Sequence, residues 1–304
     1  MTKAYSRMLR AAAAGAAAVL LAVLLLHPAL PAAGQGGIVG LSVWLPSVIG
    51  ILVMLAVTGH QRRHDLDART FSVLDGHPVH RELCWLAVFL LGFIGGTIGL
   101  SALFHSISTD IPFVIAVPAV RVLFLFVLPV LFVDQAGFNV SGQATAMPSL
   151  AMAVGDRWRW AGLIPVLAAL ALVPLTIHPV ALYDVRLVLL TAVVAFIAVA
   201  VPEEIFFRGM VQTRLEWLVG RWGGIAITAL VFAVTYAVMK DYVELSPMDK
   251  GSTAAPWYSS AATYGVLGLL YGCTWSFYRN IWLSILLRGG ILTLAVAPTL
   301  RLIG

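Results

Sequence analysis

The chain has 304 residues, 61% of them hydrophobic and only 11% charged, with a formal net charge of +5 and a mean hydropathy of +0.95. Soluble domains carry about a quarter charged residues, so this balance excludes a water-soluble globular protein and points to a polytopic membrane protein. The positive charge fits loops facing anionic lipid and calls for no nucleic acid partner.

Apolar runs read as spans at 11–30, 37–58, 84–104, 112–133, 160–177, 187–202, 223–239, 260–278 and 281–298. Each is about 16–23 residues, near the length a bilayer requires. The fold class expected is all-α, a polytopic transmembrane helix bundle of eight or nine spans, because the shorter runs can be tilted, broken or only partly inserted. There is no short-period repeat and no low-complexity linker, so a single membrane domain is the simplest organisation. Cys84 and Cys273 lie beside or within apolar runs without paired spacing, which speaks against a disulfide framework or a cysteine metal site.

The basic residues orient the spans. Lys3, Arg7 and Arg10 precede the first span, and Arg62, Arg63, Arg69 and Arg81 lie in the second loop. Arg157 and Arg159, then Arg208, Arg214 and Arg221, then Arg279 follow on the same side. Those 13 of 19 basic residues make that side cytoplasmic and place the N-terminus there, as expected of an inner (plasma) membrane protein. Lys240, Lys250 and Arg301 fall opposite, and Arg121, Arg186 and Arg288 lie within or at the edge of spans. The alternative for the N-terminus is a signal peptide, with an apolar segment at 11–26 and small residues near 32–34. Asn139-Val140-Ser141 matches a glycosylation sequon but falls inside.

The second loop, 59–83, crowds His60, His64, His77 and His80 among Arg62, Arg63 and Asp65, and reads as a solvated juxtamembrane loop in preference to a metal site. Gly95 and Gly96, like Gly289 and Gly290, read as close-packing positions between helices. Arg121 sits near the middle of its span beside Pro118 and Pro129, where pairing with an internal carboxylate is favoured over snorkelling. Trp257, Tyr258, Trp275 and Trp282, near span ends, read as interfacial anchors.

The chemistry concentrates in AVAVPEEIFFRGMVQ, residues 198–212. Ionisable groups against an apolar run are costly in hydrocarbon and ask for a reason. At about 100° per residue, Arg208 stands about 40° from Glu204 and about 140° from Glu203. The pair within this helix is therefore Glu204 with Arg208, which leaves Glu203 free to take a proton from water. The alternative is an interfacial cluster whose three side chains reach the headgroups.

Glu203-Glu204, then Arg208-Gly209 and Gln212, after a long apolar helix, resembles the signature of the CAAX-protease and bacteriocin-processing family of intramembrane endopeptidases. Residues 225–239 resemble its second motif, a Phe followed four residues later by His. Residues 264–292 resemble the stretch leading to its last motif, a His followed four residues later by Asn. The likeness covers about 185–298 and sets a CAAX-protease-like region, 151–304, apart from N-terminal transmembrane helices of unrecognised type, 1–150. The resemblance implies a helical intramembrane endopeptidase acting on membrane proteins or peptides, with Glu203 as general base and Glu204 and Arg208 in support.

The sequence departs from that pattern at both histidines. The second motif falls on Phe232 and Tyr236, and the last on Arg288 and Leu292. All seven histidines, including His27, His105 and His178, precede the PEE stretch. A metal site becomes improbable, since zinc prefers histidine and cysteine, and no cofactor is expected. Arg288 stays charged and cannot serve as a base, but it can donate to an oxyanion, and the Tyr236 hydroxyl can do likewise or orient water, which leaves a base–electrophile pair of Glu203 with either open. Arg288 close to Glu203 makes that carboxylate half of an ion pair and a weaker base. The candidate site is thus Glu203, Glu204, Arg208, Tyr236 and Arg288, two acids balancing two guanidiniums. Two functions compete: an endopeptidase with impaired hydrolysis, and a non-catalytic relative that binds or regulates a membrane partner. A transporter is the weakest reading, because no corresponding interrupted segments recur in two halves.

Overall fold

The computed structural model describes residues 36–58, 60–107, 112–134, 151–152, 154–176, 185–239 and 257–300. The expected first span, the signal-peptide alternative, the sequon and the charges at Lys3, Arg7, Arg10, Lys240, Lys250 and Arg301 lie outside the described residues. So do His27 and His178, and the side chains of His60, Arg62, Arg63, His64, His105, Trp257 and Tyr258.

All regular structure among the described residues is helical. In chain order it comprises α1 (Gly36–Val57), α2 (His60–Leu74), α3 (Val79–Ile107) and α4 (Pro112–Val122). A 3-10 turn at Arg157–Gly162 leads into α5 (Leu163–Thr176). Then follow α6 (Val185–Val194), α7 (Val201–Glu204), α8 (Thr213–Val219), α9 (Arg221–Val238), α10 (Trp257–Tyr278) and α11 (Ile281–Leu300). Val79–Leu103, Val188–Val219 and Arg221–Val238 are long and apolar enough to cross a membrane. Val43–Val57, Val117–Val133 and Ile281–Leu294 are shorter apolar helices. This is the pattern of a multi-pass membrane protein.

One difference from the sequence reading bears on the site. The span expected to end at residue 202 runs on as one broken helix to Val219. Proline does not stop it because the backbone changes register instead. Pro202 has no N–H to give and its ring crowds the carbonyl four residues back. The preceding stretch, Ala195–Ala200, takes wider π turns, with the Val201 N–H bonded to the Phe196 carbonyl. A second π stretch, Ile205–Gln212, follows. Arg208 and Arg214 are therefore buried inside a continuous helix and do not lie in a cytoplasmic loop. Directly after α4 the same device recurs, with π stretches at Leu123–Val127 and Val130–Asp134 on either side of Pro129.

Gly220 turns the broken helix back into α9. Its φ of +85° and ψ of 167° are open essentially to glycine alone, and its N–H caps the Glu216 carbonyl at 2.9 Å. From this apex the two arms run antiparallel, so residues equally far from 220 meet. Gly224 lies so close to Glu216 that an added Cβ would sit 2.7 Å from the Glu216 nitrogen. The Arg208 guanidinium lies 5.1 Å from the Phe232 ring centroid. α9 makes its most extensive contact with α10, and α1 packs against both α5 and α10. α10 and α11 join through Arg279 and Asn280, both fully buried.

Two packing expectations are corrected. A Cβ on Gly95 would meet nothing within 4 Å among the described residues, whereas Gly92 lies against the Phe124 ring and Gly96 against Val120. Gly289 and Gly290 do hold close contacts, to Phe196 and Leu170. Trp275 is not an interfacial anchor: it is wholly buried, and its indole N–H donates to Thr213 Oγ1 at 3.1 Å. Trp282 is 43% exposed and donates to the Met152 carbonyl.

Candidate functional site

The hairpin about Gly220 carries Glu203, Glu204 and Arg208 on one arm and Phe232 and Tyr236 on the other, and α11 brings Arg288 against them. Glu203, Glu204, Arg208, Tyr236 and Arg288 are all fully buried. Glu203 does point away from its own helix, as its angular position implies, and finds its partners on three other elements. Arg288 donates to Glu203 Oε2 from Nε at 3.0 Å and from Nη2 at 2.7 Å. The Tyr236 hydroxyl donates to Oε1. Arg121, from α4, brings its Nε to 3.0 Å of the same oxygen as an ion pair.

A carboxylate offers about four acceptor positions. On Glu203 two go to Arg288 and two are faced by Tyr236 and Arg121, so its capacity is used. Glu204 differs. It pairs with Arg208 at 3.4 Å, the four-residue spacing read from sequence, and neither of its oxygens accepts a hydrogen bond among the described residues. The two ion pairs share an aromatic wall. Arg208 and Arg288 lie 5.1 and 5.2 Å from the Phe232 centroid, and each lies 5.7 Å from the Tyr271 centroid. Ring faces of negative potential help hold guanidiniums out of water. Leu292, at the expected Asn position, is buried in the apolar core.

The expected balance of two acids and two bases is corrected by Arg121, a third guanidinium in the cluster. Its depth predicts an internal pairing but not the partner, since 82 residues separate it from Glu203.

Sequence reading missed a second charged layer nearer Gly220. The signal was present as a four-residue repeat, Glu204, Arg208, Gln212 and Glu216, which puts a polar stripe along one helix face. All four are buried. Gln212 donates to Glu216 Oε1 at 2.7 Å and to the Gly272 carbonyl at 2.9 Å. Arg279 pairs with Glu216 and reaches Asp67 on α2 at 3.2 Å, while Arg221 also pairs with Asp67. Arg214 pairs with Glu82 at 2.7 Å, and His77 lies 3.1 Å from the same carboxylate. The 59–83 segment is thus largely helical and tied to the bundle, which corrects its reading as a solvated loop. Among the described residues no group of three or more His, Cys, Asp or Glu could hold a metal ion.

Comparison with known proteins agrees with this segment. Residues 185–293 match the family model of the type II CAAX prenyl endopeptidase Rce1-like proteins. No curated protein and no solved structure matches the chain. The matched stretch opens at the broken helix and closes just past Arg288, so it holds Glu203, Glu204, Arg208, Tyr236 and Arg288 but not Arg121. Over residues 185–293, the chain therefore carries a domain of the Rce1-like, type II CAAX prenyl endopeptidase family.

Proposed function

We propose that this protein is a multi-pass membrane member of the family in which the glutamate site binds a membrane protein or membrane-anchored peptide without hydrolysing it. The observation that carries the reading is the occupied Glu203 carboxylate, with Arg288, Arg121 and Tyr236 on its two oxygens. A general base must have a lone pair turned toward the water it deprotonates. On this reading Tyr236 and Arg288 stand where relatives carry histidines, and the substitution exchanges proton transfer for ion pairing. Residues 151–304 form the CAAX-protease-like unit, with eight or nine spans in the whole bundle and the Arg-rich loops and N-terminus at the cytoplasmic face of the inner membrane. In lipid nanodiscs the full chain is expected to retain membrane-anchored peptides without cutting them. Cleavage by the wild-type chain that Glu203→Gln removes overturns the proposal.

A second reading is supported by one observation. Glu204 has two oxygens without a hydrogen-bond partner among the described residues, so an endopeptidase activity would run through Glu204. It requires cleavage that Glu204→Gln abolishes and Glu203→Gln leaves measurable.

A further inference from the structure

Five of the six side chains that close on one another here have a place in the family resemblance or its motif positions; the sixth, a guanidinium on Glu203, comes from elsewhere. We infer that Arg121 is a positioning residue of the site: with Arg288 it clamps Glu203, so α4, outside the matched segment, completes the constellation. The inference rests on the reading above, in which Glu203 is held and not free.

Three observations carry it. Arg121 is fully buried and meets Glu203 Oε1 at 3.0 Å, on the oxygen that Arg288 does not use. Arg288 and Arg121 therefore grip opposite oxygens of one carboxylate, which fixes its rotation as neither alone does. α4 also lies directly against α7 and against the π stretch at 195–200, so the contact is part of the packing around Pro202 and not a stray reach. Finally, Pro118 and the π stretch at Leu123–Val127 bracket Arg121 within four residues on each side. Such breaks re-aim side chains, and they frequently accompany functional positions. The Arg121 guanidinium also lies 5.8 Å from the Phe93 ring of α3, so a second N-terminal helix backs it.

A merely structural counter-ion and a positioning residue differ in what they control. If Arg121 only neutralises charge, removing it lowers stability and nothing else. If it positions Glu203, exchanging Tyr236 and Arg288 leaves the carboxylate still held at Oε1, and release requires a change at 121 as well. The full chain in lipid nanodiscs, carrying Tyr236→His, Arg288→His and Leu292→Asn, is assayed on a fluorogenic membrane-anchored peptide with and without Arg121→Gln. Adding Arg121→Gln is expected to raise kcat on the order of a hundredfold with KM little changed, the low end of what a positioned base contributes. Arg121→Lys, which keeps the charge, is expected not to. Equal kcat with and without Arg121→Gln overturns the inference.

A second measurement decides the matter where neither variant hydrolyses peptide. Infrared difference spectra against Glu203→Gln isolate the Glu203 carboxylate bands in the otherwise wild-type chain. Arg121→Gln is expected to shift them, and Arg69→Gln, at an exposed pair with Asp156, to leave them in place. Bands unmoved by Arg121→Gln overturn the assignment. Cleavage by the wild-type chain would instead sink the binding reading while leaving the infrared result to decide Arg121.

Discussion

Neutralising Glu203 and neutralising Arg288 are expected to have unequal costs, although the two form one ion pair. Glu203→Gln keeps the shape of the side chain but strands two buried cations, because both Arg288 and Arg121 rest on that carboxylate. The amide also brings an NH2 group toward donors, and while the Tyr236 hydroxyl can turn to accept, a guanidinium cannot. Breaking a buried pair costs about 3–5 kcal/mol when one charge is left uncompensated, so a substitution that strands two reaches at least about 5 kcal/mol. Arg288→Gln strands neither acid nor base: Glu203 keeps Arg121 and Tyr236 and loses two charged hydrogen bonds, an expected cost of about 3 kcal/mol, the low end for two such bonds. Thermal unfolding in nanodiscs, followed by tryptophan fluorescence, then shows a Tm drop of roughly 10–20 °C for Glu203→Gln and a smaller one, roughly 6–12 °C, for Arg288→Gln. Arg121→Gln added to Glu203→Gln is expected to restore part of the loss by removing a stranded cation. Equal drops for Glu203→Gln and Arg288→Gln, or no recovery in the double variant, refute the argument that Glu203 serves two guanidiniums.

Other substitutions test the frame around the site. Gly220→Ala forces a side chain into a backbone region reserved for glycine and is expected to cost about 1–3 kcal/mol by thermal unfolding. Gly224→Ala puts a methyl group within 2.8 Å of Glu216 Cα, so the hairpin arms must part, at about 1–3 kcal/mol in the same assay. Trp275→Phe loses the indole bond to Thr213 and is expected to lower stability by about 1–2 kcal/mol; an interfacial anchor would show almost no change. Asp156→Asn removes an exposed pair with Arg69 and is expected to change stability by less than about 1 kcal/mol, with the difference vanishing in high salt.

Much of this protein is legible in one dimension because hydrocarbon imposes a one-dimensional constraint. Backbone groups cannot stay unpaired in lipid, so an apolar run of the right length must be a helix wherever it sits in the fold. That rule places α1, α3, α9 and α11 within a few residues of their apolar runs. The same rule misplaces the end of the broken helix, since hydropathy falls at Glu203 while the backbone continues through buried ion pairs to Val219. The pairing of Glu204 with Arg208 also follows from helical spacing alone, as does the turning away of Glu203.

Which side chains would meet Glu203 is not a property of any segment. Arg121, Tyr236 and Arg288 lie 82, 33 and 85 residues away, and only the packing of α4, α9 and α11 around Pro202 brings them to one carboxylate. Trp275 shows the same limit, for its position near a helix end says interface while the bundle closes over it. Local spacing determines which side chains share a face; long-range packing determines what that face meets, because charges in a medium without water take their nearest partner in space and not in sequence.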